Sequence, residues 1–167
     1  MFNKKFKIDK IGDTDVYLGP YPQNTDEAQK LKDEGITAVL NIQNDQEINF
    51  RQIPNQRIED FYRKNDMEII RCPIRNFSER DLKAQLPHAA CLLNDLISNR
   101  NKKVFVHCTA GIGRAPSVVL AYLCLYKKVD LWDDVNAVYE FMKFNHIESK
   151  PNMKIVSEVV VEGYKNS

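Results

Sequence analysis

The sequence predicts an α/β fold with a mainly parallel central sheet flanked by helices. Three observations carry this. Short apolar runs rich in β-branched residues, at Ile36–Ile42, Glu68–Ile74 and Lys103–His107, read as buried strands. Segments of helical periodicity lie between and after them, as crossovers between parallel strands require. No repeat, low-complexity tract or linker interrupts the 167 residues, so one domain over 1–167 is expected.

Taken in order, Phe6–Ile11 and Val16–Leu18 read as short strands, ended by Gly19, Pro20 and Pro22. Asn24 or Thr25 can cap a helix through Lys32, and Gly35 stops it before the strand Ile36–Ile42. A polar loop and a helix fill Asn44 to Lys64, followed by the strand Glu68–Ile74. From Leu82 to Asn99 the residues Leu86, Ala89, Ala90, Leu93 and Ile97 share a helical face. After the strand Lys103–His107 come three helical stretches, near Ala115–Lys127, Trp132–Phe144 and Met153–Tyr164. Ligands of such sheets sit beyond the carboxyl ends of the strands, so the strand ending at His107 points at the site.

Composition narrows the partners. With 43% hydrophobic and 28% charged residues the chain is ordinary for a globular protein, and a formal net charge of +1 gives no broad case for nucleic acid or an anionic membrane. No apolar run is long enough to span a bilayer, and Met1–Lys10 lacks the features of a signal peptide. Cys72, Cys91, Cys108 and Cys124 have no CxxC spacing, which points to free thiols in a reducing, cytoplasmic setting. His88, His107 and His146 offer no ligand cluster in the sequence, so neither metal nor other cofactor is expected.

The richest segment runs from Val104 into the next helix, VFVHCTAGIGRAPS. Five residues separate Cys108 from Arg114 between a strand and a helix, a spacing that curls successive backbone N–H groups around one anion. Thr109, Ala110, Gly111, Ile112, Gly113 and Arg114 are therefore the expected phosphate binders, with Gly111 and Gly113 supplying backbone freedom. The positive helix end adds to the field, Pro116 suits its first turn, and Arg114 can fork two anion oxygens. Thiolate, the nucleophilic form of cysteine, is favoured in such surroundings. The pattern implies attack by Cys108 on phosphorus, with His107 orienting the loop rather than acting as a base.

HCTAGIGR resembles the HCxxGxxR signature of the protein tyrosine phosphatase superfamily, and the short chain is similar to its dual-specificity branch. Arg114-Ala115-Pro116, Ile70–Phe77, Asp81–Pro87 and Asn44–Phe50 are similar to the glucan phosphatases, the laforin and plant starch-phosphatase group. This resemblance covers roughly Val16 to Val160. It implies the cysteine-phosphatase fold and phosphorylated α-glucan as substrate; a phosphoprotein is the alternative. No segment corresponds to the carbohydrate-binding module of laforin and one plant member, though another plant member lacks it. Ala115 stands where many members have Ser or Thr, and the resemblance makes this a subgroup trait, since the plant glucan phosphatases share the Ala-Pro pair.

The resemblance also locates a departure. Asn76 occupies the position of the aspartic acid that protonates the leaving oxygen, and an amide has no such proton to give. Glu79 and Asp81 lie in the same loop. Asp81 either substitutes for the acid or caps the helix at Leu82, and Glu79 either substitutes or is a solvated charge. If Asn76 leaves turnover negligible, the loop becomes a binding module. Phe50 and Phe77 match aromatic positions that flank the family's substrate pocket; Tyr21, Phe144 and Trp132 are weaker candidates, Trp132 being better read as core. Arg71 and Arg75 read as rim or surface charges, and Asn152 as the cap of the last helix.

Overall fold

In the computed structural model, which describes residues 5–127 and 134–166, five strands form one sheet in the order β1-β2-β5-β3-β4. The strands are β1 (Asp9–Lys10), β2 (Val16–Gly19), β3 (Ala38–Asn41), β4 (Glu68–Arg71) and β5 (Val104–His107). Only β1 runs antiparallel, against β2; the other pairs are parallel. This is the mainly parallel sheet that the sequence predicts.

The registers matter for function. Gly19, His107, Asn41 and Arg71 lie side by side at the carboxyl ends of the four parallel strands. The four loops that follow therefore leave the sheet at one level and converge. Period-two alternation separates two cores. Val16, Leu18, Ala38, Leu40, Val104 and Val106 pack into the larger one, while Tyr17, Val39 and Phe105 pack into the other. The larger core takes α4 (Glu79–Asn94), α5 (Arg114–Tyr126), α6 (Val135–Asn145) and α7 (Met153–Lys165). Against the opposite face lie α1 (Thr25–Asp33) and α3 (Asn55–Lys64). One more helix, α2 (Asp45–Phe50), sits over the carboxyl end of β3.

Several boundaries differ from the sequence reading. The strand expected over Phe6–Ile11 shrinks to the two residues of β1. Glu68–Ile74 reads as fully buried, yet β4 is an edge strand and only half-buried. The stretch Asn44–Lys64 splits into two helices, because Pro54 cannot donate an N–H and ends up outside α3 as its N-cap residue. Ser78, not Asp81, caps α4: its Oγ accepts the Asp81 N–H at 3.1 Å, so the helix starts at Glu79. A π-helical turn over Asp95–Asn99 closes that helix. Asn24 caps α1 and Asn152 caps α7 as expected. Trp132 lies outside the described residues; α6 begins at Val135, capped by Asp134.

Candidate active site

The loop between β5 and α5 is shaped from outside. In a trans peptide the C=O and the next N–H point in opposite directions, and no described peptide is cis. The Cys108 carbonyl lies 3.0 Å from His107 Nδ1, and the Thr109 carbonyl accepts the Tyr21 N–H at 3.2 Å. The Gly111 carbonyl lies 2.7 Å from His146 Nε2, and the Ile112 carbonyl accepts the Lys150 N–H at 2.7 Å. Ser117 donates both its N–H (3.0 Å) and its Oγ–H (2.8 Å) to the Gly113 carbonyl. Each tether turns the following N–H the other way. The N–H groups of Thr109, Ala110, Ile112, Gly113 and Arg114 thus face the cavity that these residues line with Cys108.

The two glycines are not equivalent. Gly111 has φ +71°, and a Cβ there would stand 2.5 Å from the Gly19 carbonyl carbon and 2.6 Å from its oxygen. Only glycine fits this crossing of backbones. Gly113 has an ordinary φ of −112°, and the nearest atom to an added Cβ is the Lys150 oxygen at 3.8 Å. The backbone freedom read for Gly113 is therefore not required.

Arg114 is buried at the start of α5 and gripped by Glu47 of α2. Its Nη1 and Nη2 each donate at 2.7 Å to a different Glu47 oxygen, and Nη1 also donates to the Ile74 carbonyl at 2.8 Å. Those bonds use three of five N–H groups. The Nε–H and second Nη2–H share the remaining edge, have no partner among the described residues, and can take two oxygens of an anion. Thr109 Oγ1 donates to Glu47 Oε1 and accepts from Gln43 Nε2 at 3.0 Å. Glu47 also accepts the Asn44 N–H at 3.0 Å in a capping box, so the geometry of α2 fixes the carboxylate.

Burial alone pushes the Glu47 carboxyl up, but hydrogen bonds from Arg114, Thr109 and Asn44 outweigh it and hold the group below its ordinary range. Burial pushes the His107 imidazole down to about 4, against a weaker opposing pull from the Cys108 carbonyl. A neutral His107 donates from Nδ1 to that carbonyl, which fits a loop-orienting role. The Cys72 thiol, buried in the larger core, is pushed up by burial and then by Asp81, and Cys124 is pushed up to about 12, mainly by burial.

Cys108, only 3% exposed, lies in a cavity of about 680 Å³. Its rim includes Arg51, Arg75, Asn76, Phe77, Glu79 and Lys150. Asn76 thus stands at the cavity, as its matched position requires. Phe77 is 99% exposed with φ +60°, a left-handed conformation that is costly for a bulky residue. Phe50, also exposed, is not among the lining residues, and neither is Phe144. The Tyr21 ring is buried; its backbone rather than its ring serves the loop. Asp81 does not line the cavity: its Oδ2 accepts the Arg75 N–H at 2.6 Å. Glu79 does line it, but bonds from Asn152 (3.2 Å) and then Lys154 (3.4 Å) hold its carboxyl low, in the wrong state to give a proton. Arg71 pairs with Asp45 at 2.6 Å and holds the Gln43 carbonyl, away from the cavity. Asn152 both caps α7 and lines the cavity.

Glu47, Gln43, Ser117 and His146 were not legible as site residues in the sequence. Glu47 does sit in an Asn-x-x-Glu pattern that announces a capping box, but its partner lies 67 residues away. One potential ligand group also emerges: Asp9, His146 and Glu148 place ligand atoms within 4.8 Å of one another. Lys7 Nζ sits on both carboxylates and already serves as their cation. No described helix is long and apolar enough to cross a membrane.

Comparison with known proteins agrees with this geometry. Residues 16–162 match the family model of the dual specificity phosphatase catalytic domain. The chain is 34% identical over 131 residues to the chloroplastic phosphoglucan phosphatase LSF1 of Arabidopsis thaliana, covering 78% of this chain and 21% of that protein. It is 32% identical over 119 residues to laforin of Mus musculus, covering 65% and 36%. It therefore spans about a fifth to a third of the length of these relatives. Among solved structures, kinase associated phosphatase superposes with TM-score 0.75 at 16% identity, covering 99% of this chain and 97% of that one. PTPMT1 superposes with TM-score 0.74 at 20% identity, covering 96% and 98%. Strand register, a carbonyl-out loop around Cys108 and the match over residues 16–162 lead to one conclusion: the chain belongs to the dual specificity phosphatase catalytic domain family.

Proposed function

We infer that the protein hydrolyses phosphate monoesters on phosphorylated α-glucan, through a phosphocysteine on Cys108. The observation that carries this is the loop with its carbonyls tethered outward and its N–H groups turned to the cavity beside the thiol. In this reading the Cys108 thiolate attacks phosphorus as the bond to the leaving oxygen breaks, and that oxygen takes up a proton. Water then attacks phosphorus, the P–S bond breaks, and phosphate and thiolate separate. Arg114, fixed by Glu47, offers its open edge to the phosphoryl oxygens throughout.

The glucan assignment draws on the names of the relatives and on Phe77, an exposed ring at the rim on which a sugar face can stack. One sheet with its two cores supports reading residues 1–167 as one phosphatase domain. The leaving-oxygen proton is assigned to water, since Asn76 has none to give, Glu79 is held ionised and Asp81 is tied to Arg75. A sugar alkoxide is a far poorer leaving group than a phenolate, so turnover on glucan is slow. A second reading, a module that binds phosphorylated partners, draws on the same Asn76.

The test measures phosphate release from phosphorylated amylopectin, a phosphotyrosine peptide and an aryl phosphate. Asn76→Asp should raise turnover on the glucan by about 10²-fold and on the aryl ester far less. Good cleavage of the peptide with none of glucan defeats the substrate assignment. Binding without release from any substrate favours the module. A Cys108→Ser protein that keeps full activity overturns the mechanism.

A further inference from the structure

His146 is fully buried, with both ring nitrogens in short contacts. Nε2 lies 2.7 Å from the Gly111 carbonyl oxygen and Nδ1 lies 2.6 Å from Asp9 Oδ2. A carbonyl oxygen and an ionised carboxylate only accept, whereas a neutral imidazole has one donor for two such partners. The groups around the ring complete the account. Glu148 Oε2 lies 3.9 Å from Nδ1, and Lys7 Nζ bridges Glu148 and Asp9, the latter at 3.0 Å. Two carboxylates thus surround one ammonium and the ring, and a doubly protonated ring makes the quartet neutral.

We propose that His146, doubly protonated between Asp9 and the Gly111 carbonyl, is a positioning residue that holds the Ile112 N–H in the anion cradle. The inference rests on reading the loop as a phosphate site. The Gly111–Ile112 peptide can rotate only if its carbonyl leaves Nε2. Gly111, the residue with no side chain to resist such rotation, is the one whose carbonyl receives a charged donor. The tether also runs from β1 through the ring to the loop, joining the sheet's antiparallel edge to the site.

Two substitutions separate the ring's contacts. In His146→Gln the amide nitrogen reaches about as far as Nε2 and can still donate to Gly111, whereas in His146→Asn it reaches only as far as Nδ1. Inorganic phosphate binding, measured by calorimetry on the full chain, should weaken about tenfold in the Asn protein, the equivalent of one hydrogen bond. The Gln protein should stay within about threefold of wild type. Nitrogen-15 spectra of wild type should show both His146 ring nitrogens protonated at neutral pH, a signature that needs no variant to fold. Equal phosphate affinity in all three proteins, equal weakening in both variants, or one unprotonated ring nitrogen overturns the inference. Wild type that binds no phosphate defeats the phosphate reading itself, and this inference with it.

Discussion

Replacing Glu47 by Gln removes one charge and leaves the shape nearly unchanged. The carboxylate accepts from Arg114 Nη1, Arg114 Nη2, Thr109 Oγ1 and the Asn44 N–H. An amide can keep its oxygen toward Asn44 and Nη1, since Gln also suits a capping box. Its NH₂ then faces Nη2 donor against donor, and the Thr109 hydroxyl must turn from donor to acceptor. Breaking a buried ion pair costs about 3–5 kcal/mol, and the 14% exposure of the Glu47 side chain argues for the lower end, about 3 kcal/mol. Arg114 loses its two-point grip and its open edge swings, which should lower kcat/KM on an aryl phosphate about 10²-fold, the effect of a displacement near 1 Å. Urea unfolding followed by circular dichroism reads the first quantity and steady-state kinetics the second. The sign with pH is fixed too. The Glu47 carboxyl is held below its ordinary 4.5, so its contribution is present above that value and lost as pH falls through the lower folded value. The stabilities of the two proteins should converge in acid. An unchanged urea midpoint with turnover within about twofold of wild type would refute the reasoning.

Gly111 and Gly113 of the phosphate loop and His107 beside it give further perturbations. Gly111→Ala drives a Cβ to 2.5 Å from the Gly19 backbone at a φ of +71°, and should cost at least about 3 kcal/mol in thermal unfolding. Gly113→Ala, with its nearest contact at 3.8 Å, should stay within about 1 kcal/mol, and similar losses in both would contradict the assignment. Buried His107, pushed from 6.5 to about 4, stays neutral in the folded chain over a range where the unfolded chain binds a proton. Stability should therefore be complete above about pH 6.5 and fall by about 3 kcal/mol as pH drops to 4. A His107→Asn protein should lack that part of the slope; parallel urea profiles for the two proteins would count against it.

What could be read from the sequence followed the range of each interaction. The buried strands are legible because alternation and β-branching are local, and the phosphate loop because Cys108, Gly111 and Arg114 lie within seven consecutive residues. The orientation of Arg114 was not legible, since it depends on Glu47 reaching across 67 residues from α2. His146 reaches the loop only through the folded sheet edge, so its sequence neighbours Asn145 and Ile147 say nothing of its role. Ser78 and Asp81 were both eligible caps. The left-handed Phe77 turns the chain so that Ser78 takes the extended cap conformation, and Asp81 falls one turn inside. Phe50 and Phe77 are both exposed aromatics beside the site, and only the loop geometry distinguishes the ring that lines the cavity from the one that does not.

The outward tethers on the phosphate loop come from Tyr21, His146, Lys150 and Ser117 as well as from His107 beside it. A cradle assembled from such distant parts of the chain has no counterpart in an unfolded polypeptide. Inorganic phosphate, the proposed reaction product, is then a ligand of the native state alone. At a hundred times its Kd such a ligand adds about 2.7 kcal/mol to stability. The molecule that competes with substrate would also protect the protein from denaturation, so durability and throughput would trade against each other through phosphate concentration.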